Sequence, residues 1–118
     1  MSDANGTPLG SPADLFQALD HLAQTVDARA DGDTESSYTA KLLAKGSAKC
    51  AKKLGEEAVE LALALVSEGD DAVASEAADV LYHLVVALRA RGIALDDVGA
   101  ALVARQGISG IEEKAARK

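Results

Sequence analysis

A chain of 118 residues, 48% of them hydrophobic, has room for one small domain with a single modest core. It contains no apolar run of the ~18 residues that a membrane span needs. Nineteen acids against twelve bases give a net charge of −7, which disfavours a broad nucleic-acid surface, and two tyrosines and one phenylalanine are too few for a base-stacking platform.

The opening MSDANGTPLGSPAD lacks the basic and apolar regions of a signal peptide. Residues 1–10 read as a disordered N-terminus. Ser11 before Pro12 is a helix start, serine as the cap and proline at the first helical position. Leu15, Phe16, Leu19, Leu22 and Val26 then recur at helical spacing to about Arg29. Residues 30–36, with Asp31, Gly32 and Asp33, read as a loop. Ser37 can cap a short helix holding Tyr38, Leu42 and Leu43, which Gly46 ends. Ser47 is placed to cap a long helix running to about Glu68. A third long helix is expected from about Asp71 to Arg91, with Gly92 as its stop, and a shorter one follows through Val103 on Leu95, Val98 and Leu102. Residues 11–105 thus form one all-α domain, a bundle of four to five helices, and 106–118 form a tail. Cys50, the only cysteine, lies among Ala48, Ala51 and Leu54 and reads as a small buried thiol. With no disulfide partner in the chain, a reducing cytoplasm is the expected location.

Two of these helices each carry a pair of acids three residues apart, Glu57 and Glu60 in EEAVE and Glu76 and Asp79 in EAADV. At about 100° per residue, positions i and i+3 share a helix face. The turn at 67–71 is short enough to fold the helices into an antiparallel hairpin. Counted from its midpoint, Glu60 and Asp79 fall at the same level, with Glu57 and Glu76 one turn to either side. Four carboxylates so placed can build a magnesium site. The second helix is apolar nearly all round, with Ala72, Val80, Val86 and Ala87 near its acids, so Glu76 and Asp79 face a desolvation penalty that a cation or donors must offset. On the first helix Lys49, Lys53, Glu56, Glu57 and Glu60 form a stripe opposite Ala51, Leu54, Ala58, Leu61, Ala62 and Leu65. That stripe alone also reads as Lys/Glu pairing in solvent. Five lysines and no acid lie between 41 and 53, immediately ahead of the acidic pairs. A cationic patch beside carboxylates suits a polyanionic ligand that carries a metal.

These segments together resemble the phosphoribosyl-ATP pyrophosphohydrolases of histidine biosynthesis, within the all-α nucleotide pyrophosphohydrolases. The resemblance runs from about Leu15 to Arg105. It is densest in SYTAKLLAKGSAKCAKKLGEEAVELALA (37–64), SEAADVLYHLVVALRARGIALDDV (75–98) and SGIEEKA (109–115). It implies a magnesium-dependent helical homodimer that hydrolyses the α-β phosphoanhydride of phosphoribosyl-ATP to phosphoribosyl-AMP and pyrophosphate. Carried over by residue, the metal motif falls on Glu57, Glu60, Glu76 and Asp79. Glu56 and Glu57 are the candidates for activating water. Lys52 and Lys53 match the family's lysines, and with Lys49 are expected to hold phosphate oxygens. His83, one turn past Asp79, is expected to hydrogen-bond or pack near the ligands without binding metal. Many relatives are fused to the cyclohydrolase of the next step, for which this length leaves no room.

Two other readings stay open on the residues alone. One is a house-cleaning pyrophosphohydrolase for other nucleoside triphosphates. The other is a non-catalytic helical dimerisation module whose acids only solvate a surface. A carboxylate-bridged di-iron bundle is disfavoured because the Glu-x-x-His spacing is missing.

Overall fold

The computed structural model describes residues 10–107 and Lys114. Its elements are α1 (Pro12–Arg29), α2 (Tyr38–Ala44), α3 (Ser47–Ser67), α4 (Asp70–Arg91) and α5 (Leu95–Ala104), and no strand occurs among the described residues. The readings of 1–10 as disordered and 106–118 as a tail fall mostly outside those residues.

The helix boundaries follow local chemistry. At α1, the Ser11 hydroxyl accepts from the Asp14 amide at 3.3 Å while the Asp14 carboxylate accepts from the Ser11 amide at 3.0 Å, a reciprocal cap with Pro12 at the first position. Ser37 caps α2 by accepting from the Ala40 amide at 3.1 Å. The start of α3 differs from expectation: Gly46 is the cap residue, without a side-chain bond, and Ser47 is already helical. Gly46 has φ of 92°, a conformation that glycine adopts without steric cost, and it takes the cap position expected of Ser47. Gly92 closes α4 with φ of 78°, its amide donating to the Arg89 carbonyl and that of Ile93 to the Leu88 carbonyl, both at 2.9 Å.

The α3–α4 hairpin is the most extensive contact, and α1 and α2 pack onto α4. Val26, Leu42, Cys50, Val85 and Val86 form the buried core, flanked by Leu19, Leu22, Tyr82 and Leu95. Cys50 is buried as expected, and its thiol donates to the Leu42 carbonyl at 3.2 Å, tying α3 to the end of α2. Burial pushes that thiol above its ordinary pKa, so it is a poor nucleophile. An exposed ion pair, Arg89 Nε to Asp27 Oδ1 at 2.8 Å, links α4 to α1 and contributes little to stability.

The helix faces depart from the sequence pattern in one respect that matters for the site. The buried residues of α3 are Cys50, Glu57 and Ala64, which lie on the boundary between its charged and apolar stripes. Glu57 is therefore carried inward, at 7% exposure, while much of the apolar stripe turns out. Ala51, Ala58, Ala62 and Leu65 of that stripe are exposed, and so, beyond it on the side facing away from the core, are Val59, Leu63 and Val66 at 59%, 61% and 83%. On α4, His83, Val85 and Val86 are buried and Glu76 is half-buried, but Asp79 is exposed, so only part of its acidic pair sits inside.

Candidate active site

The hairpin brings three acids together: Glu57 from α3 and Glu76 and Asp79 from α4 each place one carboxylate oxygen within 4.8 Å of the others. Glu76 and Asp79 meet because they are three residues apart on one helix. Glu57 reaches them because its place on the packed seam of α3 aims it at α4. Glu60, one turn further along α3, is exposed and outside this trio, but close enough for Glu57 and Glu76 to perturb it. Glu56 is also exposed and turns towards Lys53, whose Nζ lies 3.8 Å from its Oε2.

Charge is distributed unequally over these groups. Lys53 Nζ lies 3.2 Å from Glu57 Oε1. The lysine's hydrogen bond holds the Glu57 carboxyl below its ordinary pKa, against the opposing effect of burial, and reciprocally raises that of Lys53. Glu60 is pushed up, first by the negative charge of Glu57 and then by a hydrogen bond shared with that carboxyl. His83 is buried with Nε2 3.9 Å from Glu57 Oε1, and burial lowers its pKa although ionised Glu57 acts the other way. A neutral imidazole behind Glu57 is the outcome near neutral pH.

An aromatic wall backs this end of the site. Tyr82 meets His83 edge-on with ring centres 5.0 Å apart, Tyr38 stacks on Tyr82 at 6.4 Å, and the Tyr82 hydroxyl hydrogen-bonds Thr39. Composition and spacing did not point to this wall. The signal that could have found it is the pairing of Tyr38 at the start of α2 with the Tyr82-His83 dipeptide on α4.

Next to the trio, Lys45, Lys49, Lys52 and Lys53 line a pocket of about 260 Å³ with Tyr38, Leu42 and Glu56. The three lysines expected to bind phosphate thus share one concavity, which Lys45 joins. Lys53 belongs to both halves, since it also pairs with Glu57.

The donors suit a hard divalent cation. They are all carboxylate oxygens, spread over a distance close to the roughly 4 Å between opposite oxygens of a magnesium shell. In addition, Glu76 Oε2 is buried with no hydrogen-bond partner among the described residues. An orphaned buried carboxylate oxygen is costly unless something positive meets it.

Sequence comparison places this geometry in a family. The model of the phosphoribosyl-ATP pyrophosphohydrolases matches residues 19–106. A protein of Cereibacter sphaeroides strain KD131 named phosphoribosyl-ATP pyrophosphatase is 59% identical over 99 residues, which cover 84% of this chain and 96% of that protein. One of the same name from Caulobacter sp. strain K31 is 55% identical over 103 residues, 87% of this chain and 95% of its own. Phosphoribosyl-ATP pyrophosphatase 1 of Rhodopseudomonas palustris is 56% identical over 100 residues, covering 85% and 94%. With a match across both acidic helices and the lysine-rich turn before them, the chain belongs to the phosphoribosyl-ATP pyrophosphohydrolase family.

Proposed function

We propose that the protein hydrolyses phosphoribosyl-ATP to phosphoribosyl-AMP and pyrophosphate in the cytoplasm, as a homodimer, with magnesium held at Glu57, Glu76 and Asp79 and with Glu60 as the fourth carboxylate of the set. The observation that carries this reading is the carboxylate trio with its unpartnered Glu76 oxygen, beside a four-lysine pocket, in a chain 55% to 59% identical to proteins named for that activity.

Cleaving a phosphoanhydride requires neutralising phosphate charge and aligning a water with the leaving pyrophosphate. Bound magnesium supplies charge neutralisation and a lowered cost of activating water. The chain supplies the rest. Lys53, Lys49 and Lys52 bind phosphate oxygens as point charges converging on one concavity. Lys53 also orients Glu57 through their 3.2 Å contact and holds its carboxyl below the ordinary pKa. Buried His83 limits the positions open to the Glu57 carboxylate. Glu56, which lines the lysine pocket and contacts Lys53, takes the role of orienting the attacking water and accepting its proton.

A second copy of the chain is the proposed cover for the outer stripe of α3. Among the described residues, the buried core holds no side chain larger than Leu42. A two-fold partner would bury Val59, Leu63 and Val66 against their counterparts or a neighbouring apolar face. No described helix is long and apolar enough to cross a membrane.

The test is product analysis on purified protein. Pyrophosphate release from phosphoribosyl-ATP that stops in excess chelator, and that Glu76→Gln and Asp79→Asn largely abolish, is the expected result. Orthophosphate as the primary product, or full activity in chelator, contradicts the proposal. Faster turnover of common or modified nucleoside triphosphates would move the protein to the house-cleaning class.

A further inference from the structure

The lysine pocket holds more positive charge than one end of the substrate requires. Lys53 is committed at the trio by its contacts with Glu57 and Glu56, at 3.2 and 3.8 Å. Lys49 lies one helical turn before it, about 6 Å along α3, and Lys45 lies further still, on the other side of the Gly46 corner. No carboxylate among the described residues is within ion-pair distance of Lys45, Lys49 or Lys52. In a chain of net charge −7, this leaves a local positive field directed into the pocket. Its volume of about 260 Å³ is below the 300–1,000 Å³ of sites that enclose a drug-sized ligand, so it has room for part of a nucleotide. Tyr38 forms its wall on the trio side, 54% exposed, with its ring edge-on to His83 at 6.4 Å. One exposed aromatic ring beside lysines is a surface on which a sugar or base can rest while its phosphate is held.

Phosphoribosyl-ATP has two anionic ends, a triphosphate and a sugar monophosphate carrying about −1.5 to −2 charges at neutral pH. We propose that the outer part of this pocket is a second anion subsite, in which Lys45 holds the phosphoribosyl phosphate and Tyr38 supports the sugar or base next to it. This rests on the reading of phosphoribosyl-ATP as substrate. It makes Lys45 and Tyr38 the residues that separate that substrate from plain ATP, which lacks the second arm.

The two ends can be tested separately with ribose 5-phosphate as the isolated arm. Titrated calorimetrically into protein saturated with magnesium and pyrophosphate, ribose 5-phosphate should still bind, because the subsites are distinct. Lys45→Ala should weaken it at least ten-fold more than it weakens pyrophosphate, and should lower the kcat/KM preference for phosphoribosyl-ATP over ATP by a similar factor. Tyr38→Ala should act in the same direction, with Tyr38→Phe restoring most of the loss because the ring does the work. Mutual exclusion of the two ligands, or equal loss of both in Lys45→Ala, overturns the subsite. Failure of the parent to turn over phosphoribosyl-ATP while it binds both ligands together would sink the assigned reaction and leave a sugar-phosphate subsite standing.

Discussion

Along α3, the side facing α4 buries Glu57 among charged and polar neighbours, while the side facing away exposes Val59, Leu63 and Val66. The usual arrangement of an amphipathic helix is the reverse. Each side is therefore incomplete in its own way. The inner side gathers negative charge that only a cation can fully offset, and the outer side presents apolar surface that only another protein surface can remove from water. On the proposed reading, such a sequence serves binding at both places at some cost to the stability of the isolated chain.

The largest expected effect comes from breaking the outer side. Replacing Leu63 and Val66 together by Glu should convert the proposed dimer to a monomer, read as a halved mass by light scattering at micromolar concentration. The same mass for parent and variant would mean that this stripe is not the interface. On the inner side, Lys49→Ala should lower kcat/KM about ten-fold or more and flatten its salt dependence, with helical content unchanged. Lys53→Ala should cost more, because it also removes the 3.2 Å contact that orients Glu57. An unchanged kcat/KM at low salt in both variants would return these lysines to the solvated surface.

The smallest effect concerns pH. Glu60 has a folded pKa above its ordinary 4.5, so its ionised form disfavours the folded state. Glu60→Gln should therefore raise the thermal stability of metal-free protein at neutral pH. That gain is full above the raised folded pKa and vanishes below about 4.5, where the parent carboxyl is protonated in both states. Glu57 behaves oppositely: with its pKa lowered, its contribution is present above 4.5 and is lost as pH falls through its folded value. Identical melting curves for parent and Glu60→Gln across this range would show that Glu57 and Glu60 do not repel.

Much of this was legible in the residues. Ser11-Pro12, Ser37 and Gly92 act locally, through one or two hydrogen bonds or a single φ value, and the helix ends that they predict appear within a residue or so. The hairpin and the approach of the two acidic helices followed from turn length and helical repeat, but it is Glu57 and not Glu60 that joins Glu76 and Asp79. What could not be read was the rotation of α3 about its own axis. Periodicity placed Glu57 on a charged stripe with Glu56 and Glu60, but which edge of that stripe turns inward depends on packing, on the bond from Cys50 to Leu42 and on the burial of Ala64. That rotation separates buried Glu57 from exposed Glu56 and Glu60. It also determines that much of the apolar stripe faces outward. The aromatic wall was hidden for a similar reason, since Tyr38 and Tyr82 are 44 residues apart and meet only when α2 lies on α4.

The central claim is that Glu76, with its buried unpartnered oxygen, belongs to a cation site and not to the supporting framework. Calorimetric titration of magnesium into the metal-free parent and into Glu76→Gln, with thermal melting of both, tests it most directly. The parent should bind magnesium and melt at higher temperature when it is present, because a ligand that binds only the folded state stabilises it. The variant should match or exceed the metal-free parent in stability, by about 1 kcal/mol at most, and gain little from magnesium. Equal magnesium binding by both proteins, or a variant that unfolds without the metal, would contradict the account.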